Sequence, residues 1–251
     1  MAKLMNADHR TNWLLASLEA ADFAALEPHL ELVDLSRGQV LYEPGDPLRY
    51  AYFPHFAVVS LVNMMEDGGT VEVALFGRGG VLGRALVTRE AFGRYIVQIA
   101  GTASRIPTER LEEVRTARPK LRQLLQRYGE VLLAQTFQIL SCNAVHPVEA
   151  RCCRWILMAQ DQADQEVLPL THEFLAEMLG VQRSTVSVVT RTLQTAGLIR
   201  QRRGGIIVLD RAGLEETTCE CYDKIRRLYQ RLLPGADAAQ TPSGEPIPDR
   251  S

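Results

Sequence analysis

The five cysteines of this 251-residue chain, at 142, 152, 153, 219 and 221, form no CxxC…CxxC set. An odd number of scattered thiols suits a reducing compartment, and their spacing spells neither a disulfide framework nor a zinc site. No apolar run approaches the ~20 residues that cross a bilayer, and the N-terminal MAKLMNADHR lacks the apolar core of a secretory signal. A cytosolic, cytoplasmic location is therefore expected. Catalytic signatures are missing as well: there is no nucleophile elbow, phosphate loop or HExxH. A metal-dependent enzyme would need clustered histidines and carboxylates. Of the first-half histidines His9, His29 and His55, only His55 is placed to serve, and it is expected at a strand edge.

A formal net charge of −2 gives the whole chain no attraction for a polyanion, yet the charge is segregated. Between Thr171 and Arg211 stand six arginines, at 183, 191, 200, 202, 203 and 211, against Glu173, Glu177 and Asp210, a local balance of +3. The alternative to a functional basic patch is an ordinary solvated face.

With 46% hydrophobic residues the chain can bury a core and is long enough for two domains. Residues 11–28 carry apolar positions at 14, 15, 18, 23 and 26, which predicts one or two short amphipathic helices. Gly- and Pro-punctuated apolar runs follow: LSRGQVLYEPGDP, then YAYFPHFAVVSLVNMM and TVEVALFG separated by a turn, then GRYIVQIAGTASRIP. Short strands at this spacing predict an antiparallel β-roll, a cupin-like jelly roll, over about residues 30–106. From Thr108 the period becomes helical. TERLEEVRTAR is a short helix stopped at Pro119, and a long helix then runs towards Pro147. Its broad apolar stripe predicts dimerisation through Leu121, Leu124, Leu125, Tyr128, Val131 and Leu132, with packing inside the monomer as the alternative.

PVEARCCRWILMAQDQ opens a further helix with proline in its first turn. Cys152 and Cys153 are neighbours on it and cannot face the same way, so one is expected in the core and the other partly exposed, a candidate pair of redox thiols. LTHEFLAEMLG is a helix closed by Gly180. The next stretch, RSTVSVVTRTLQT, has a β-branched centre, but Val186, Val189 and Leu193 recur three and four apart. Period outweighs local propensity, and the stretch reads as helix. Two helices joined by a tight turn make a helix-turn-helix, whose second helix lies in the DNA major groove. Its outward residues Arg183, Ser184, Ser187 and Val188 become candidate base readers, with Arg183 suited to guanine O6 and N7. Thr171, Gln182, Thr185 and Arg191, with Arg200, Arg202 and Arg203 beside a Gly204-Gly205 hairpin tip, become candidate backbone contacts. LEETTCECYDKIRRLYQRLLPG reads as one last helix, and the polar tail from Gly235 as disordered.

At this point LAEMLGVQRSTVSVVTRTLQTAGLI, together with LSRGQVLYEPGD, resembles the Crp/Fnr-type transcriptional regulators over roughly residues 12–215. The resemblance implies an α+β protein: a sensor roll with its N-terminal helices (1–107), connecting and dimerisation helices (108–146), a winged helix-turn-helix with a C-terminal helix (147–234), and a tail (235–251). It implies a homodimer on a palindromic DNA operator, controlled by a signal at the roll, with RNA polymerase as a further partner. A ligand-binding or protein-recruiting module is the alternative. Ser184 stands where the family usually has Glu, and Val188 where it often has Arg, so the usual operator does not carry over. Val188 is instead suited to a thymine methyl. Cyclic-nucleotide members use a Gly-Glu and an Arg-Ser. Here Gly83 is followed by Arg84 and Arg94 by Tyr95, which argues against cAMP and leaves Arg84 and Arg94 as candidate contacts for another anion. Iron–sulfur members ligate mostly with N-terminal cysteines, and none precedes Cys142. No cofactor and no metal is expected.

Overall fold

The computed structural model describes residues 8–66, 69–83, 90–162 and 165–233; the polar tail read from Gly235 lies outside them. Two short helices, α1 (Trp13–Ala16) and α2 (Ala20–Leu26), open the chain. Asn12 anchors them. Its Oδ1 accepts the N–H groups of Leu14 and Leu15, and its Nδ2 donates to the carbonyls of Pro54 and Gly80. Every polar atom of this buried amide is therefore bonded, which removes the cost of burying it.

Eight strands follow: β1 (Glu31–Leu35), β2 (Val40–Tyr42), β3 (Tyr50–Pro54), β4 (Val58–Met64), β5 (Thr70–Phe76), β6 (Leu82–Gly83), β7 (Arg94–Ile99) and β8 (Gly101–Pro107). They form two antiparallel sheets, ordered β1-β8-β3-β6 and β2-β7-β4-β5. Leu35, Tyr42, Tyr52, Leu61, Phe76 and Tyr95 fill the space between them. The two long strands expected at 50–65 and 93–107 are each divided, because the chain changes sheet at residues 55–57 and again at Ala100. The two corners touch. A Cβ on Gly101 would lie 2.4 Å from the Ala57 nitrogen, so only glycine lets the backbones pass. Hydropathy hides the break, since both halves of each run are buried.

Helix α3 (Thr108–Ala117) ends at Arg118, which is extended because a proline follows it, and α4 (Pro119–Val145) begins. Leu121, Leu125, Tyr128 and Val131 are at most 2% exposed and share a core with Trp13, Phe23, Phe53 and Ile106. Leu124 packs beside the same core, and Leu132 packs on the core between the sheets. The expected partner-facing seam of Leu121, Leu124, Leu125, Tyr128, Val131 and Leu132 is thus corrected: those side chains complete the monomer. Besides Val145, its last residue, the large apolar residues that α4 leaves exposed are Leu133, Phe137 and Leu140, at 55%, 59% and 67%. Spaced four and three apart, they line one face.

The remaining elements are α5 (Val148–Gln162), β9 (Val167–Leu168), α6 (His172–Leu179), α7 (Arg183–Thr195), β10 (Ile199–Arg202), β11 (Gly205–Val208), α8 (Arg211–Thr217) and α9 (Cys221–Leu232). Strand β9, too short to show a period, joins the hairpin in a sheet ordered β10-β11-β9. The single last helix expected from 214 onward is two, broken at Thr218, which is extended. These elements pack against the outer face of the β4–β5–β7 sheet. Val58, Val62, Leu75 and Ile99 share one core with Trp155, Phe174, Leu175 and Met178. Trp155 meets Phe174 edge-on at 4.9 Å between ring centroids, and its Nε1 donates to Glu72 Oε1 at 2.9 Å. Ser60 Oγ donates to the other Glu72 oxygen.

Burial pushes the Glu72 carboxyl up from 4.5 to about 7, against the opposing pull of the Ser60 and Trp155 hydrogen bonds and of Arg154. Below pH 4.5 the group is protonated in folded and unfolded chains alike. Between 4.5 and 7 only the folded chain holds the proton, so stability falls as pH rises and levels off beyond 7. Glu72→Gln keeps the shape without the ionisation. Urea unfolding across pH 4.5 to 8 should show the variant gaining up to about 3 kcal/mol on the wild type. Parallel pH profiles for the two proteins would contradict this assignment.

Candidate functional site

Helix α6 begins at Thr171, whose Oγ1 accepts the Phe174 N–H, and ends at Gly180, which turns left-handed at φ 62° and ψ 42°. That turn swings the chain so that α7 crosses α6. Val186, Val189 and Leu193 are buried, which confirms the helical reading of the β-branched stretch. The opposite face is open: Gln182, Arg183, Ser184, Val188 and Arg191 are exposed, and Thr185 is half-buried. Val188 is 63% exposed, an apolar side chain held out in solvent. Arg200 and Arg202 on β10 and Arg203 at the hairpin turn are exposed on the wing beside it.

Two expected readers are already engaged. Ser187 is half-buried, its Oγ 3.0 Å from both His172 Nδ1 and the Arg183 carbonyl. His172 Nε2 in turn lies 3.0 Å from Gln201 Oε1 and 3.1 Å from Thr190 Oγ1, so one imidazole ties α6, α7 and β10 together. Ser187 is thereby corrected from base reader to part of this brace, and His172 is a positioning residue that the pattern alone did not reveal. Arg183 Nε lies 2.8 Å from Glu173 Oε1, with both side chains more than half exposed. A solvent-exposed pair of this kind is worth only about 0–1 kcal/mol, so Arg183 can exchange it for a stronger bidentate partner.

On the roll, a cavity of about 370 Å³ lies between the β4–β5–β7 sheet and α4, lined by Leu61, Val73, Phe76, Tyr95, Leu132 and Leu133 among others. Its lining is apolar apart from Asn63, Thr136 and the tyrosine. Arg94 does not line it and pairs with Glu43 at 2.8 Å, which corrects its reading as an anion contact; Arg84 lies outside the described residues. His55 is fully buried rather than at an edge, with Nε2 2.8 Å from Ser104 Oγ, and burial lowers it to about 4. It is a neutral core histidine. Cys152 and Cys153 are both fully buried, and burial pushes both thiols up, Cys153 to about 12. The expected division into one core and one exposed thiol does not hold, and neither offers a reactive thiolate.

The expectation that no metal or cofactor site exists is overturned by the remaining thiols. Cys142, His146, Cys219 and Cys221 place one ligand atom each within 4.8 Å of all the others. The break between α8 and α9 makes this cluster, by turning Cys219 and Cys221 back onto the last turn of α4. Cys142 and Cys219 approach to 3.5 Å, Sγ to Sγ, and Cys221 Sγ lies 3.5 Å from His146 Nδ1. A hydrogen bond with the Cys142 thiol, helped by the Cys221 backbone, holds the Cys219 thiol below its ordinary value. In the sequence only two fragments hint at it, Cys-x₃-His at a helix end and Cys-x-Cys, more than seventy residues apart.

A Crp-like helix-turn-helix domain is matched over residues 150–217. The chain is 28% identical to the transcriptional regulator SdrP of Thermus thermophilus over 194 residues, 74% of this chain and 93% of that one. A solved transcriptional regulator of the CRP/FNR family from Thermus thermophilus superposes with a TM-score of 0.60 at 26% identity, covering 74% of this chain and 97% of its own. FixK2 from Bradyrhizobium japonicum shares the fold at TM-score 0.62 and 16% identity, covering 76% and 98%. Among the described residues no helix is long and apolar enough to cross a membrane. With its roll, long helix and helix-turn-helix in place, the chain carries a Crp-like helix-turn-helix domain and shares the architecture of the Crp/Fnr-type transcriptional regulators it matches.

Proposed function

We propose that the protein acts as a homodimer that reads a two-fold palindrome in duplex DNA, one α7 in each of two major grooves about 34–36 Å apart. The observation that carries this reading is the free face of α7, where Arg183, Ser184, Val188 and Arg191 stand out of the fold next to a wing bearing Arg200, Arg202 and Arg203. Arg183 would take a guanine edge and Val188 a thymine methyl. Gln182, Thr185, Arg191 and the wing arginines would grip phosphates, as would the hydroxyl proton of Thr171, whose oxygen already caps α6. The exposed row Leu133, Phe137 and Leu140 on α4 supplies the apolar face for the second copy.

The cavity beneath α4 shares Leu133 with that row, so a ligand seated there would touch the dimer helix itself. Its apolar walls favour a small apolar effector, and binding would act as a population shift between two dimer geometries.

In binding titrations with a fluorescent operator duplex, Arg183→Ala should weaken specific binding about 5- to 150-fold and relax preference at one base pair per half-site. An unchanged affinity would favour a protein-recruiting role instead. Replacing Arg202 and Arg203 together by alanine should weaken all duplexes alike and lower the slope of log affinity against log salt by about 2. A change confined to one sequence would contradict their placement on the backbone. Phe137→Glu should convert a dimer to monomer in sedimentation while leaving the circular dichroism spectrum intact. A dimer that survived it would exclude this face.

A further inference from the structure

The thiol cluster lies away from both the α7 face and the roll cavity, and the DNA-reading role leaves it unexplained. We propose that Cys142, His146, Cys219 and Cys221 bind a single tetrahedral divalent ion of the zinc class, in a closed structural site that joins the end of α4 to the α8–α9 turn.

The donor set and its spacing support this directly. A tetrahedral zinc with Zn–S of about 2.3 Å and Zn–N of about 2.0–2.1 Å sets sulfur about 3.8 Å from sulfur and about 3.5 Å from nitrogen. The Cys142–Cys219 and Cys221–His146 separations of 3.5 Å already match those edges within a few tenths of an ångström. All four ligand atoms fall within 4.8 Å of one another, room for one ion. An iron–sulfur cluster distributes its thiolates over several irons and bridging sulfides and needs a wider cage. Three sulfurs and one imidazole are also the soft set that selects zinc over magnesium or calcium.

The backbone builds the two halves locally. Cys142 and His146 are one helical turn apart, and the His146 N–H donates to the Cys142 carbonyl, which closes α4 with both side chains on one side. Cys219 and Cys221 flank Glu220, the first residue outside α9.

The surroundings are those of a metal site. His146 turns Nδ1 to the cluster, and its Nε2 lies 3.2 Å from Glu220 Oε2, the carboxylate–histidine pairing that orients a ligating imidazole. Gln138 Nε2 donates to Cys221 Sγ at 3.0 Å. Arg154, only 3% exposed, has a buried Nε without a hydrogen-bond partner among the described residues, and its charge acts on Cys142. Zinc with three thiolates carries a net charge of −1, which this guanidinium offsets. As the ion binds, the cysteine protons still present pass to solvent, three Zn–S bonds and one Zn–N bond form, and no electrons are transferred. The junction between α4 and α5, at His146 and Pro147, lies inside the clamp, so the ion would fix the direction in which the helix-turn-helix leaves the long helix.

The test is a Co(II) titration of the metal-stripped, reduced full-length chain, followed by competition with Zn(II). One cobalt per chain is expected, with the strong thiolate-to-cobalt charge-transfer absorption and tetrahedral visible bands, both lost on adding zinc. The pair Cys142→Ser and Cys219→Ser should abolish the signal, whereas Cys152→Ala should keep it. Glu220 is largely exposed, so Glu220→Gln tests the site without disturbing the fold; it should lower the affinity about 10- to 100-fold. Substoichiometric cobalt, octahedral bands without charge transfer, a signal that survives the double replacement, or an affinity untouched by Glu220→Gln would overturn the proposal.

Discussion

Trp155 decides how the molecule is put together. Its indole closes over the outer face of the β4–β5–β7 sheet, stacks edge-on against Phe174 and reaches the buried Glu72. A large aromatic in this position is worth about 3–5 kcal/mol on truncation, a sizeable part of what holds a domain folded. Because the core beneath it is shared by the sheet and α5–α7, the roll and the helix-turn-helix form one packed unit. Any event that moves β4 or β5 is then felt by α5 through direct contact. The roll cavity is lined by residues of those same strands, on the sheet's other face, so the effector proposed for it would sit one sheet away from α5.

The Glu72 carboxyl, which accepts from both Ser60 and Trp155, makes that contact sensitive to its own protonation. A carboxyl buried without an ion-pair partner favours its neutral form, and in that form it satisfies both donors at little cost. The arrangement stabilises docking without welding it. A two-state regulator needs such an interface, since a contact too strong to release could not be biased by a ligand.

Periodic elements were legible in the sequence where one face was buried and the other wet. The recognition helix is the clearest case: Val186, Val189 and Leu193 set a helical period strong enough to outweigh five β-branched neighbours. The roll was legible as a class from its turn residues, but not its sheet exchanges, because 55–57 and Ala100 lie within runs that are buried throughout. The dimer stripe was misread for a related reason. On α4 the apolar residues wrap around more than one face, and hydropathy ranks Leu121, Leu125 and Val131 alongside Leu133, Phe137 and Leu140. Only the positions of α1, α2, α9 and the roll show which set is already covered. The thiol cluster could not be read from spacing at all. It depends on a helix break at Thr218 in a stretch whose composition is helical throughout, and on α9 folding back along α4.

Under the proposed function, the exposed face of α7 and the adjacent wing read sequence, and do so twice in one complex. Selection of bound sites from a pool of random duplexes, carried out at two salt concentrations, tests it most directly. The expected result is an enriched two-fold palindrome with half-site centres about one helical turn apart, retained at the higher salt. Binding that fades with salt and enriches no sequence would contradict it, since phosphate contacts alone would then account for the affinity.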